Sequence, residues 1–106
     1  MKEAVRILED KKAVDIEVID ISKLTTLADY FIICSGTSTT HIKALTDELE
    51  KGMETAGIKC LRKEGYDTAK WVLVDFGDLI VHIFQHDYRE FYDIERIWSD
   101  GIMFNN

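Results

Sequence analysis

The 106-residue sequence contains no proline, only two cysteines and no long apolar run. Cys34 and Cys60 stand in apolar contexts without C-x-x-C spacing, and nothing at the N-terminus resembles a signal peptide, so we expect a reduced, cytoplasmic setting. Because no apolar stretch approaches the ~20 residues that span a bilayer, we expect no transmembrane helix. Repeats, low-complexity tracts and linkers are also missing, and residues 1–106 are therefore expected to form a single domain.

Basic residues are scarce as well. Thirteen Lys and Arg against twenty Asp and Glu give a formal net charge of −7. This charge repels a phosphate backbone, so we expect no direct nucleic-acid binding and favour a basic protein partner. Between residues 75 and 100, seven acidic residues are accompanied only by Arg89 and Arg96 in a segment rich in aromatics. Aromatic anchors beside acids are typical of a surface that recognises a basic partner, and a plain solvated face is the alternative.

The chain is organised around residues 71–86, where two apolar runs flank Gly77 and Asp78. A glycine at the first central position is typical of a two-residue type II′ hairpin turn. With that turn, side-chain alternation gives one wholly apolar face, which should be core. Its members are Val72, Val74, Phe76, Leu79, Val81 and Ile83. The other face mixes aromatics with an acid and an imidazole, so we expect it to be partly exposed. Its members are Trp71, Leu73, Asp75, Ile80, His82 and Phe84.

Local periodicity predicts the remaining elements. A long amphipathic helix should begin after N-cap residues within 35–38 and end at Gly57. Its apolar stripe is Ile42, Leu45, Leu49, Met53 and Ala56. The other expected elements are a short helix over residues 1–12 with Met1, Ala4, Val5 and Leu8 on its apolar face, an edge-near strand over 15–21, a buried central strand over 30–34, a strand over 58–64, a loop over 65–70 and one or two helical turns within 87–100.

These elements predict an α/β fold. Because a helix connects the second strand to the third, those two strands should run parallel with a right-handed connection. The helix must bury its apolar stripe against the strands. We therefore expect a mixed sheet of about five strands with helices packed mainly on one side.

Metal binding and nucleophilic catalysis find little support in the sequence. His82 and His86 have the spacing of helical metal ligands, but on a strand four residues extend roughly 13 Å, too far to share one ion. We expect no metal site, and we expect His41 to be solvated in the first turn of the long helix. Cys34 precedes a helix N-terminus, which can lower a thiol pKa, but a buried structural role is commoner for a free cysteine.

Residues 36–38, Gly-Thr-Ser, follow a strand and precede a helix, an arrangement that can hold a phosphate. Nucleotidyltransferases add an alternating pair of acids downstream that binds two metal ions. That pair is missing here, because Asp75 and Asp78 straddle the turn and the pair Asp15 and Glu17 precedes the glycine. We therefore expect a nucleotidyltransferase-like fold without the catalytic acids, no enzyme and no cofactor. A nucleotide- or phosphate-handling enzyme of this fold is the alternative.

Four ordered stretches make the chain resemble a known family. They are LEDKKAVDI (residues 8–16), LADYFIICSGTS (27–38), GYDTAKWVLVDFGDLIVHIF (65–84) and REFYDIERIW (89–98). Together they resemble the ribosomal silencing factors, the RsfS family also called Iojap or YbeB, over almost all of residues 1–100.

This resemblance implies a protein that is not an enzyme. It would bind the large ribosomal subunit through its fourteenth ribosomal protein and sterically block association with the small subunit, which represses translation. The resemblance also implies a fold related to nucleotidyltransferases and frequent homodimers. A further alternative is that the second hairpin face is only a homodimer contact. Residues matching the family's partner-binding region are Trp71, Leu73, Asp75 and Asp78, with Tyr66, Glu90 and Tyr92 as further candidates.

Overall fold

The computed structural model describes residues 1–92 and 102–105. Its elements are α1 (Lys2–Asp10), β1 (Val14–Asp20), β2 (Tyr30–Gly36), α2 (Thr39–Thr55), β3 (Arg62–Glu64), β4 (Trp71–Asp75), β5 (Leu79–Gln85), α3 (His86–Tyr92) and β6 (Ile102–Asn105). The strands form one mixed sheet in the order β3-β4-β5-β2-β1-β6. Among the described strands, β2 and β5 pair in parallel and all other pairs are antiparallel. The expected mixed α/β sheet is confirmed, and β6 is an additional strand, too short to give a period-two signal.

The predicted central strand is confirmed as β2, which lies between β5 and β1 and is buried from Phe31 to Gly36. The third strand runs in the same direction as β2, as predicted, because β4 is antiparallel to both β3 and β5. It is shorter than expected and lies at the sheet edge. The predicted strand began at Ile58, but the N–H of Ile58 donates to the carbonyl of Met53. Ile58 therefore belongs to the end of α2 and not to the strand.

Both ends of α2 follow from its sequence. Ser38 is the N-cap, and its Oγ accepts the N–H of His41 at 3.0 Å. At the other end, Gly57 has φ +87° and donates to Glu54, while Ile58 donates to Met53. These two bonds and the left-handed residue form a Schellman motif. The predicted stripe is buried except at Ala56, which is the exposed C-cap.

The hairpin register agrees with the prediction. Val72 pairs with Ile83 and Val74 with Val81. In the turn, Gly77 has φ +94° and Asp78 is not among the positive-φ residues, as type II′ requires. The apolar hairpin face is buried with residues of α1, α2 and β2 in a first core. Each of its large apolar side chains contributes about 1.5–3 kcal/mol through burial.

Helix α1 packs against α2 at a glycine. A Cβ on Gly52 would lie 2.4 Å from Cδ1 of Ile7, so any other residue there would require the Ile7 side chain to shift. The buried residues of α1 are Ala4, Ile7 and Leu8. Ile7 therefore joins the predicted apolar face, whereas Met1 is exposed and makes no side-chain cap bond.

The second sheet face is more buried than the sequence suggested. Phe84 is 0% and His82 4% exposed, so the prediction of a partly exposed face is wrong for both. The reason is that β1 and β2 extend the hairpin with further apolar side chains on the same side. They form a second core of Ile19, Ile21, Ala28, Phe31, Ile33 and Phe84, against which Trp71 and Ile80 are packed.

Helix α3 lies against this second face, opposite α1 and α2. Arg89 donates to Oγ of Ser35 at 3.0 Å, and its guanidinium is 3.5 Å from the carboxylate of Glu17. The helical turns expected within residues 87–100 are confirmed as far as the end of α3. Residues 93–100 lie outside the described part of the chain.

Candidate recognition surface

Trp71 begins β4 and is half-buried on the second sheet face. Its indole stacks on Phe84, with ring centroids 5.1 Å apart and an angle of 23° between the planes. Its Nε1–H donates to Nδ1 of His82 at 3.0 Å. A stacking contact and a directional hydrogen bond therefore hold the ring in one orientation.

His82 is the acceptor that holds the indole. Because tryptophan is only a donor, Nδ1 of His82 must be unprotonated and the ring proton resides on Nε2. Burial lowers the pKa of His82 to about 4, so the ring is neutral at physiological pH. Its ring also meets Phe31 edge-on, with centroids 4.7 Å apart. Nε2 is buried and has no hydrogen-bond partner among the described residues.

Leu73 and Asp75 continue the same face along β4, and both are half-buried. Oδ1 of Asp75 accepts the N–H of Gly77 at 2.8 Å, and Oδ2 is 3.9 Å from Nη2 of Arg62 on β3. The carboxylate is thus fixed at the turn while part of it stays accessible. We call Trp71, Leu73 and Asp75 the recognition surface.

Asp78 is exposed in the hairpin turn, beside this surface. Its carbonyl accepts the N–H groups of Asp29 at 2.8 Å and Tyr30 at 3.0 Å, so the turn is attached to the start of β2. The carboxylate of Asp78 is therefore presented from a fixed backbone. The sequence did not single out Leu61, which is 67% exposed and donates its N–H to the carbonyl of Asp75 at 2.8 Å, next to the turn. Leu61 lies within the strand predicted over residues 58–64, but β3 begins only at Arg62, so the period-two pattern did not indicate that Leu61 is exposed beside the turn.

Tyr66 lies on the opposite side of the sheet. Its hydroxyl donates to Oδ2 of Asp47 on α2 at 3.0 Å. The ammonium groups of Lys43 and Lys63 lie 5.5 Å and 4.5 Å from the centre of its ring. The structure thus places Trp71, Leu73 and Asp75 on one face of β4, with Asp78 in the adjoining turn, and separates Tyr66 from them. Glu90 and Tyr92 belong to α3, and their side chains lie outside the described residues.

The turn that suggested phosphate binding is occupied by internal hydrogen bonds. The N–H of Thr37 donates to Nδ1 of His41 at 3.0 Å, and Nε2 of His41 bonds to the carbonyl of Lys11 at 2.9 Å. The expectation that His41 is solvated is therefore wrong, because the ring joins α1 to the turn before α2.

Burial raises the pKa of the Cys34 thiol to about 12, so it is not a reactive thiolate. Among the described residues, no three potential metal ligands cluster.

Gly65 allows the loop before β4 to approach Trp71. It has φ +80°, and a Cβ there would lie 2.1 Å from the carbonyl oxygen of Trp71. We expect Gly65→Ala to lower the free energy of unfolding by more than the roughly 1–2 kcal/mol of left-handed strain alone. Gly57→Ala is the matched control, because Gly57 has φ +87° and open space around it. Urea denaturation compares the two variants, and an equal loss in both would contradict a collision at Trp71.

Comparisons with known proteins agree with one another. The family model described as "Ribosomal silencing factor during starvation" matches residues 1–105. The ribosomal silencing factor of Bacillus subtilis is 40% identical over 101 residues, covering 95% of this chain and 86% of the relative. A crystal structure of a Chromobacterium violaceum protein superposes with a TM-score of 0.90 at 40% identity, covering 92% of this chain and 82% of that chain.

A more distant relative carries a different name. The mouse protein "Mitochondrial assembly of ribosomal large subunit protein 1" is 36% identical over 100 residues, which cover 90% of this chain and 43% of that protein.

Within the described residues, every helix is too short or too polar to cross a bilayer.

Proposed function

We propose that this chain, which belongs to the ribosomal silencing factor family, binds the large ribosomal subunit and blocks its association with the small subunit. It acts as a cytoplasmic binding protein and not as an enzyme, and its contact on the subunit is the fourteenth ribosomal protein. The observation that carries the proposal is the family match over residues 1–105, together with a rigidly held aromatic side chain on the surface of the hairpin.

The chemistry of the recognition surface supports a protein partner. Trp71 is fixed against Phe84 and His82 before any partner arrives, so binding does not have to order a free indole. Asp75 and the exposed Asp78 place negative charge at the turn end of the same strand, which favours a basic partner. A net charge of −7 disfavours contact with ribosomal RNA, so a basic ribosomal protein is the compatible part of the subunit.

Trp71→Ala tests the proposal directly. We expect the variant to fold but to bind the large subunit about 2 kcal/mol, or 30-fold, more weakly, because it loses an aromatic anchor. Sucrose-gradient sedimentation of large and small subunits with added protein measures the effect. The wild type should keep the subunits apart and the variant should not. Undiminished subunit association at saturating wild-type protein would contradict the proposed function.

Tyr66→Ala is the comparison on the opposite face. If the partner contacts only the recognition surface, this variant should act like the wild type. An equal loss in both variants would mean that the partner reaches around the β3 edge and includes Tyr66.

A homodimer contact is the other use of the second face. In that case Trp71→Ala would change the mass measured by light scattering and leave subunit association blocked.

A further inference from the structure

The side chain of Trp71 has one polar group, its indole N–H, and that group is already hydrogen-bonded within the protein. We infer that His82 is a positioning residue of the recognition surface, which accepts this N–H, fixes the indole on Phe84 and leaves the partner to meet Trp71 through carbon atoms alone. This inference rests on the proposed function, because it assigns how the same surface contacts its partner.

The geometry supports a positioning role. Trp71 lies opposite Phe84 and Leu73 opposite His82 in the hairpin, so His82 is the diagonal neighbour of Trp71 on the same face. The 3.0 Å bond to Nδ1 sets the direction of the N–H, and the stack on Phe84 at 5.1 Å sets the ring plane. Neither contact alone would fix both the direction of the N–H and the plane of the ring, because a ring held only by stacking can still slide or turn over. The hydrogen bond therefore selects one edge of the indole for the partner.

His82 is suited to this role because it is itself immobilised. Its ring is 4% exposed and is packed edge-on against Phe31. It does not reach the partner directly, so its influence passes through Trp71. A donor-only indole needs an acceptor here, and the unprotonated Nδ1 of His82 supplies it.

The inference constrains the partner's chemistry. A partner that contacted Trp71 through the N–H would have to present a hydrogen-bond acceptor and displace His82. With the N–H occupied, the matching surface is apolar or stacks on the face of the ring. Trp71→Phe keeps an aromatic ring on Phe84 but cannot be held by His82, so it should bind about 10-fold more weakly than wild type, whereas Trp71→Ala loses about 30-fold.

Variants of His82 provide the test, with large ribosomal subunits as the binding probe. His82→Phe keeps an aromatic ring but removes the acceptor, and we expect about 10-fold weaker binding because the indole is no longer fixed. His82→Asn places an amide oxygen near the position of Nδ1, and we expect it to restore binding to within about 3-fold of wild type. A merely structural role predicts the reverse order, since Asn leaves a larger cavity than Phe.

The indole N–H resonance of Trp71 in the free protein is the second readout. Trp71→Phe assigns this resonance, because the chain contains only two tryptophans. The resonance should shift in His82→Phe and return toward the wild-type position in His82→Asn. Two results would overturn the inference about His82 but not the proposed function. One is that His82→Phe binds like the wild type, and the other is that Trp71→Phe binds as weakly as Trp71→Ala. Absence of binding by the wild-type protein would instead overturn the proposed function.

Discussion

Replacing Arg89 with methionine is expected to lower the free energy of unfolding by about 3 kcal/mol. The guanidinium of Arg89 is almost fully buried, 3.5 Å from the carboxylate of Glu17, and donates to Oγ of Ser35. Methionine fills similar space but carries no charge, so the largely buried carboxylate of Glu17 loses the cation that faces it. It also removes the hydrogen bond that attaches α3 to β2.

Urea denaturation of a matched pair measures this effect. Arg6 is also paired with acids, Glu3 and Asp10, but this group is exposed on α1. Arg6→Met should therefore leave the unfolding midpoint unchanged, because exposed ion pairs contribute little. Adding Glu17→Gln to the Arg89→Met protein should recover part of the loss, since the side chain that faced Arg89 then carries no charge. Equal midpoints for the two arginine variants would contradict a structural role for the buried pair.

Acid should weaken the fold through His82. Its pKa is about 4 in the folded protein and 6.5 in an unfolded chain, because burial disfavours the charged ring. As the pH falls from 6.5 toward 4, the unfolded chain takes up a proton that the folded protein does not, so stability decreases. Above pH 6.5 the contribution is fully present. The two pKa values correspond to a loss of about 3 kcal/mol across this window.

The His82→Phe protein is the control for the acid effect. It lacks the titrating ring, so its stability should fall less between pH 6.5 and 4 than that of the wild type. Denaturant unfolding at several pH values in this window gives both curves. Parallel curves for the two proteins would show that His82 is protonated in the folded state and would contradict its burial as the cause.

The features that the sequence predicted well are those specified by neighbours in the chain. The hairpin register depends on Gly77 and the alternation beside it, and α2 begins and ends at Ser38 and Gly57, whose roles are local. The buried character of β2 follows from its uninterrupted apolar run. Each of these signals lies within about 20 residues, as helix and hairpin patterns do.

The second core could not be predicted in the same way. Phe84 is buried with Ile19 and Phe31, which come from strands far away in the chain. His82 looked unsuited to an interior until the indole N–H of Trp71 supplied its partner. The part of the candidate site that escaped prediction therefore depends on tertiary contacts, and a period-two pattern in one hairpin does not contain them.

The contact between Ile7 and Gly52 also bears on how the chain folds during synthesis. Helix α1 has nine residues and no side-chain cap bond, so it is too short to be stable alone. Its packing partner α2 begins at Thr39 and follows two strands later in the chain. We therefore expect α1 to leave the ribosome before α2 and to stay unfolded until Gly52 has emerged. Helix α1 is thus synthesised before α2 but acquires its structure after it.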